Sequence, residues 1–153
     1  AEQLSFPSGQ DLIVSCSALQ WFVSPEQFFK RCNALLSGHG YFAFSTFGKE
    51  NLKEIAAVTG SGLHYYSLEE LKKSLSMHYN IVTAGEERIR LTFATPLDVL
   101  YHLKHTGVTA VCRQAWTKGD LQEFCDKYAK LFSCGNAVTL TYHPLYIIAR
   151  KKP

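Results

Sequence analysis

The chain has 153 residues, of which 46% are hydrophobic and 13% aromatic, and its formal net charge is +3. Such a composition supports a buried core, which excludes a disordered segment and favours one domain. The modest charge excludes the dense basic surface typical of nucleic-acid-binding proteins. No apolar run approaches the ~20 residues of a membrane-spanning helix, and the N-terminus lacks a signal-peptide pattern. The five cysteines form no C-x-x-C pair, which is typical of reduced thiols, so we predict a cytoplasmic protein with no membrane or nucleic-acid partner.

The first elements form a strand, a helix and a second strand. Residues 11–15 contain a continuous apolar run, typical of a strand in a parallel sheet covered by helices on both faces. Ser24 and Pro25 then predict the start of an amphipathic helix that ends at Gly38, and residues 41–47 are apolar again. This order predicts a right-handed parallel crossover in an α/β fold.

The rest of the chain alternates between helical and extended patterns. Residues 49–58 and a capping box at Ser67 predict two helices, and a period of two over residues 80–93 predicts a strand with an irregularity at Ala84 and Gly85. Two further helices are predicted, one from Thr95 to Gly107 and one opened by Asp120. Residues 137–152 read as one long strand, in which Pro144 predicts a bulge or an unpaired edge.

Polar and aromatic residues follow the first predicted strand directly, in the sequence SCSALQW of residues 15–21. Open parallel sheets bind ligands at the carboxyl ends of their strands. This stretch is therefore the first candidate for a binding site.

Several segments of the chain together carry a family resemblance. They are DLIVSCSALQWF at 11–22, GYFAFSTFGKENLKEI at 40–55, SLEELKKSL at 67–75, LYHLKHTGV at 100–108, WTKGDLQEFCDKY at 116–128 and LTYHPLYIIARKK at 140–152. These segments resemble the S-adenosylmethionine-dependent O-methyltransferases of biotin synthesis. The resemblance covers nearly the whole chain. It implies methylation of the free carboxylate of malonyl-acyl carrier protein, S-adenosylmethionine as cofactor and the acyl carrier protein as partner.

The resemblance also implies a fold, a Rossmann-like class I methyltransferase sheet with an antiparallel last strand and inserted lid helices at residues 94–135. We accordingly expect residues 11–15, 41–47, part of 80–93 and 138–150 in one sheet, with the last strand between the second and third. In the family fold the strand at 11–15 pairs with an earlier strand, so we expect it to be an unprotected edge here. Such an edge predicts possible self-association.

The resemblance begins only near the middle of the family's pattern. The glycine-rich loop that seats the cofactor has no counterpart, because the glycines at 38, 40, 60 and 62 follow predicted helices rather than buried strands. The acidic residue that holds the ribose hydroxyls is not found either. We therefore expect these residues to be a C-terminal piece of a longer enzyme, inactive by itself.

The resemblance assigns a set of residues to the cofactor. Ala1 and Glu2 would lie at the adenine edge, Ser15, Cys16, Ser17 and Ala18 would line the methionine end, and Gln20 and Trp21 would border the methyl-transfer cavity. Cys16 departs from the family's asparagine, which leaves its role open. Packing against a helix is the alternative for Trp21.

Methyl transfer to a carboxylate does not need a catalytic acid or base, so we assign no catalytic residue. The carboxylate, with an ordinary pKa near 4, is ionised at neutral pH, and the protein needs chiefly to align the reactants and exclude water. Candidate substrate-binding residues are the aromatic Phe47, Tyr101 and Trp116 and the basic Lys104, His105 and Arg113, which would attract a phosphate or an acidic carrier protein. Phe124 and Tyr128 are further aromatic candidates for the walls of the substrate site. Core packing is the alternative for all of these aromatic residues, and a solvated helix face is the alternative for the basic ones.

Two other readings stay open. One is another small-molecule O-methyltransferase of the same fold. The other is a non-catalytic domain that binds an acidic protein through Lys104, His105, Arg113 and the basic residues at 150–152. His102 and His105 have helical spacing but no evident third ligand, so we predict no metal site.

Overall fold

The computed structural model describes residues 6–107 and 116–153, and these form two compact units. The first unit contains the described residues up to Lys49 together with His64–Glu87 and Pro144–Pro153, and the second contains Glu50–Leu63 and the described part of Arg88–His143. In chain order the elements are β1 (Gln10–Cys16), α1 (Pro25–Leu35), β2 (Leu36–Phe47), α2 (Lys53–Thr59), α3 (Leu68–Leu75), β3 (Tyr79–Glu86), β4 (Ile89–Phe93), α4 (Pro96–His105), α5 (Lys118–Phe132), β5 (Ser133–Cys134), β6 (Ala137–Tyr142) and β7 (Pro144–Lys151).

The first unit is built on a four-stranded sheet with the order β1-β2-β7-β3. Strands β1 and β2 are parallel, whereas β7 is antiparallel to both of its neighbours. The predicted position of the last strand, antiparallel and between the second and third, is thereby confirmed for β7. β1 is the terminal strand of this sheet, as expected.

Helices α1 and α3 cover one face of this sheet. Their apolar side chains pack on Phe42, Phe44 and Ile147 in a single core, and the ring centroids of Phe42 and Phe44 are 4.9 Å apart. The apolar run in β1 predicted helices on both faces, and this prediction is wrong for the described residues. Leu12 and Val14 are exposed on the opposite face because α1 and α3 both lie on the same side.

The second unit has its own antiparallel sheet, of order β4-β6-β5. Helices α2, α4 and α5 contribute Ile55, Val99, Leu103 and Tyr128 to a core completed by Leu140 of β6. The described part of the predicted lid, residues 94–135, belongs to this larger unit.

The prediction of one long last strand is wrong. Residues 138–142 pair with β4 in the second sheet, and only the residues from Pro144 onward join the first. Proline lacks the N–H that a continuous ladder requires, so the pairing changes at this residue. The strand predicted at 80–93 is likewise divided into β3 and β4, and its irregularity lies between Ile81 and Thr83 rather than at 84–85.

The boundary between α1 and β2 also differs from the prediction, since α1 ends at Leu35 rather than at Gly38. Residues 36–40 instead extend β2, with Leu36 paired to Gln10 and buried. Gly40 permits this pairing, because a Cβ at this position would lie 2.8 Å from the Gln10 carbonyl oxygen. Similarly, α2 begins at Lys53 rather than at 49, since Leu52 before it has a left-handed backbone with φ of 53°.

Within the described residues, none of the helices combines the length and the apolar composition that crossing a membrane demands.

Candidate functional site

The carboxyl end of β1 leads into a tight turn at Ser17. The Ser17 N–H donates to the Ser45 carbonyl of β2 at 3.0 Å, so the parallel ladder continues one residue beyond the strand. Ser17 then adopts a left-handed conformation with φ of 49°, and the chain turns away from the sheet. A left-handed backbone costs a non-glycine residue about 1–3 kcal/mol and is enriched at functional sites.

The Gln20 side chain makes two hydrogen bonds that stabilise this turn. Its Nε2 donates to the Ser17 carbonyl at 2.6 Å, and its Oε1 accepts a hydrogen bond from the Thr46 hydroxyl at 3.1 Å. Thr46 is only 4% exposed and lies in β2, paired with Leu145 of β7. The turn is therefore tied to the centre of the sheet through two side-chain hydrogen bonds.

Trp21 closes the short 3₁₀ helix Leu19–Trp21 that follows the turn. Leu19 is the buried anchor of this helix, whereas Trp21 is 54% exposed. The Trp21 indole is therefore not a core residue. Cys16 and Ser17 are exposed as well, so the turn presents thiol, hydroxyl and indole groups at the end of the sheet.

The register of the sheet brings part of the FSTFG segment, residues 44–48, to the carboxyl end of β1. Ser15 and Cys16 pair with Phe44 and Ser45 across the β1–β2 ladder. Phe47, the last residue of β2, pairs with Pro144 and is half-buried. The structure thus gathers residues 15–21 and 44–47 in the first unit.

The other sequence candidates lie in the second unit or outside the described residues. Tyr101, Lys104 and His105 are exposed on α4, with Tyr101 at 53%. Trp116 is half-buried, with its ring centroid 5.0 Å from that of Phe124. Ala1, Glu2 and Arg113 lie outside the described residues.

Two aromatic residues that were also considered as substrate walls are core residues. Phe124 and Tyr128 are buried, and the Tyr128 hydroxyl donates to the Thr139 carbonyl at 2.7 Å. Burial, together with the nearby Glu54, raises the pKa of Tyr128. Both side chains are therefore explained by packing within the second unit.

The two histidines of α4 have no third potential metal ligand beside them in the described residues. His102 Nε2 lies 3.0 Å from the Tyr142 hydroxyl, and the two imidazoles contribute to no group of three or more His, Cys, Asp or Glu side chains there. Burial raises the pKa of Tyr142, with a hydrogen bond from Thr106 opposing the shift. The His102–Tyr142 pair is thus a side-chain contact between α4 and β6.

Several polar side chains that the sequence did not single out are buried in the structure, and Thr46 and Glu54 are two of them. The only sequence signal of Thr46 is a hydroxyl residue inside an apolar strand. Glu54 lies in α2; its carboxylate is buried and accepts hydrogen bonds from the backbone N–H and the hydroxyl of Thr141. Glu54 joins α2 to β6 and has a structural explanation, whereas Thr46 contacts the candidate turn.

Two of the described cysteines have a raised pKa. Burial raises the pKa of Cys32 to about 12, with Arg31 opposing the shift, so this thiol stays protonated at neutral pH. Burial also raises the pKa of Cys125. Neither of these two thiols is therefore a good candidate for a nucleophile at neutral pH.

Curated proteins similar to this chain share one name, malonyl-[acyl-carrier protein] O-methyltransferase. The protein of Bacteroides thetaiotaomicron is 56% identical over 162 residues, and the match covers 99% of this chain and 62% of that protein. The protein of Bacteroides fragilis is 58% identical over 153 residues, covering 99% of this chain and 31% of that protein. The Haemophilus influenzae protein is 42% identical over 98% of this chain and 58% of its own length. The chain therefore spans less than two thirds of the length of these relatives.

Solved structures with a similar fold are distant in sequence. A protein of Bacillus halodurans described as a candidate methyltransferase has a TM-score of 0.66 at 15% identity, over 99% of this chain and 69% of that one. The [4+2]-cyclase SpnF has a TM-score of 0.54 at 16% identity, over 99% of this chain and 53% of that one. These likenesses establish the fold alone, and the fold serves more than one chemistry. No protein-family model matches the chain.

The chain has the Rossmann-like α/β fold of class I methyltransferases, and it is homologous to part of the malonyl-[acyl-carrier protein] O-methyltransferases.

Proposed function

We propose that this chain contributes to an S-adenosylmethionine-dependent O-methyltransferase that methylates the free carboxylate of malonyl-acyl carrier protein in biotin synthesis. The observation that carries the proposal is the high sequence identity to enzymes of that name over nearly the whole chain. Because those relatives are longer, the activity is proposed for a protein that also contains the segment that they have and this chain lacks.

Residues 15–18, Gln20 and Trp21 are proposed to form one wall of the cofactor site. The left-handed turn at Ser17 and the exposed Trp21 fit this role, since they leave polar groups and an indole open at the carboxyl end of β1. Residues 15–21 include no acidic side chain, so contacts to ribose hydroxyls have to come from elsewhere. Ala1 and Glu2 remain candidates for the adenine edge.

S-adenosylmethionine would supply a methyl group that is already activated by the sulfonium. The task of the protein is then to orient the substrate carboxylate and to exclude water. Phe47 at the end of β2 is the proposed apolar contribution of the first unit. The segment 94–135 is the proposed lid. Its proposed substrate-facing and carrier-facing residues are Tyr101, Trp116, Lys104, His105 and Arg113.

The test is a methyl-transfer assay of the full-length protein encoded by the reading frame that contains these residues. With radiolabelled S-adenosylmethionine we expect label on malonyl-acyl carrier protein, released by base as expected of a methyl ester, and little on free malonate. Label on free small acids at equal rates would favour another O-methyltransferase. Binding of carrier protein without any transfer would favour the non-catalytic domain.

The proposed carrier contact has its own matched variants. Lys104→Glu with His105→Glu should raise the KM for malonyl-acyl carrier protein, because exposed basic residues attract an acidic partner. Lys130→Glu, an exposed residue of α5, makes a similar change of charge and should leave this KM unchanged. Equal effects of both changes would argue against a specific contact at Lys104 and His105.

A further inference from the structure

We propose that Gln20 and Thr46 are positioning residues that hold the turn at Ser17 in the shape required for cofactor binding. This inference rests on the function proposed above. Neither residue needs to touch the cofactor in this role; they act through the backbone of Ser17 and the residues beside it.

Ser17 is held in a strained, left-handed backbone conformation. A serine with φ of 49° relaxes to an ordinary conformation unless its surroundings hold it. Two hydrogen bonds do so, one on each side of the residue. Its N–H is fixed by the Ser45 carbonyl and its C=O by Gln20 Nε2, at 3.0 and 2.6 Å.

The two hydrogen-bond partners of Gln20 fix the orientation of its side-chain amide. The Ser17 carbonyl is purely an acceptor, so the side-chain NH₂ must face it and Oε1 must point away. Oε1 then accepts the proton of the Thr46 hydroxyl at 3.1 Å. Because Thr46 is buried in a central strand, it provides a rigid anchor for an otherwise mobile side chain.

The hydrogen bonds that Gln20 makes with Ser17 and Thr46 are distinct from the apolar packing of the turn. Leu19 alone supplies the buried apolar contact of the turn, whereas Ser17 and Trp21 are exposed. If the turn served only to connect β1 to α1, an unstrained backbone would give it a lower free energy. Strain held in place by a buried hydroxyl and a glutamine, at the end of a sheet that binds ligands in this fold, indicates that the shape of the turn is itself required.

The experiment uses the full-length protein and measures S-adenosylmethionine affinity by calorimetry and the KM values for both substrates. Gln20→Leu removes both side-chain hydrogen bonds, and Thr46→Val removes the hydroxyl at nearly constant volume. Each should weaken cofactor binding about three- to tenfold, the expected effect of losing a neutral hydrogen bond. Thr46→Ser restores the hydroxyl and should recover most of the affinity. Gln27→Leu, an exposed glutamine on α1, is the matched control and should have no effect.

A second set of readouts distinguishes positioning from general destabilisation. Ser17→Gly should suppress the defect of Gln20→Leu, because glycine adopts the left-handed conformation freely and needs less support. Hydrogen exchange should accelerate in Gln20→Leu at the Ser17 and Trp21 amides, which donate to the Ser45 and Ala18 carbonyls, whereas that of Ile13 should not change. The KM for the cofactor should rise more than the KM for malonyl-acyl carrier protein.

Three results would overturn the inference. One is unchanged cofactor affinity in both Gln20→Leu and Thr46→Val, and another is equal loss of affinity for both substrates with a lowered melting temperature. The third is no suppression by Ser17→Gly. If the wild-type protein binds no S-adenosylmethionine, the proposed function itself fails, which is a different result from wild-type binding that the variants leave intact.

Discussion

The two faces of the four-stranded sheet are both apolar, yet only one of them is buried. Ile147 and Ile148 are neighbours on β7 and differ only in the face on which they lie, with 1% and 40% of their surfaces exposed. On the covered face, Phe28 and Phe29 of α1 lie with ring centroids 6.0 Å from that of Phe42. On the open face, Leu12, Val14 and Tyr41 are accessible to solvent.

This difference shows that apolar composition alone does not reveal what covers a strand. A row of exposed apolar side chains next to a terminal strand is unusual for a soluble surface and typical of a surface that contacts another polypeptide. The predictions below test the contrast between the faces.

The largest effect is expected from a pair of matched truncations in β7. Ile147→Ala should destabilise the fold by about 2–5 kcal/mol, because it leaves a cavity in the core under α1 and α3. Ile148→Ala should cost less than about 1 kcal/mol, since its side chain is partly in solvent. Urea unfolding followed by circular dichroism measures both values.

The amino-acid change is the same in the two variants, so intrinsic strand propensity is controlled. Equal losses of stability would mean that the open face is covered in solution, and the contrast between the faces would be lost.

A smaller effect is expected for self-association through β1. Val14→Lys places a charge on the open face beside the unprotected strand, and it should weaken self-association of the 153-residue chain about tenfold or more. Sedimentation velocity over a range of concentrations measures the change. Gln27→Lys on α1 introduces the same charge away from this face and serves as the control. A wild-type chain that stays monomeric at high concentration would contradict the prediction.

The smallest effect concerns the helix cap on the covered side. Glu70 accepts hydrogen bonds from the Ser67 N–H at 2.7 Å and from Lys49 Nζ at 2.8 Å, and these interactions, Lys49 first, lower its pKa from 4.5 to about 2. Because the folded-state pKa is the lower one, the stabilisation is present above pH 4.5 and is lost as the pH falls toward 2. Glu70→Gln should therefore reduce stability at neutral pH and flatten its decrease between these values.

Unfolding midpoints at pH 7 and near pH 2 measure this linkage. Glu69→Gln is the comparison, since the carboxylate of Glu69 is highly exposed and lies 2.8 Å from Lys72 Nζ. A Glu70→Gln variant with the full wild-type pH dependence would show that the cap does not contribute to it.

Local signals in the sequence predicted the helices well. The capping box at Ser67 was identified from side-chain chemistry within four residues, and Thr95 with Pro96 correctly marked the start of α4. Sheet membership was harder, because residues 137–142 and 144–151 have the same alternating character. Whether they pair with β4 or with β2 and β3 depends on partners that are distant in the chain.

The same distinction applies to the candidate site. The turn at residues 15–21 was found from its position after a strand and from family resemblance. Thr46 was missed because its partner, Gln20, is 26 residues away, and no local pattern links a threonine in one strand to a glutamine after another. The left-handed backbone of Ser17 was equally invisible, since serine is not a residue that predicts it.

The most direct test of the central claim is cofactor binding by the 153-residue chain and by the full-length protein, compared by titration calorimetry. These residues are proposed to supply one wall of the site, so losing two or three hydrogen bonds made elsewhere should cost the chain alone about 3–6 kcal/mol of binding energy. We predict micromolar affinity for S-adenosylmethionine in the full-length protein and millimolar or weaker affinity in the chain alone. Micromolar binding by the 153 residues themselves would contradict the account, because it would mean that they contain a complete site.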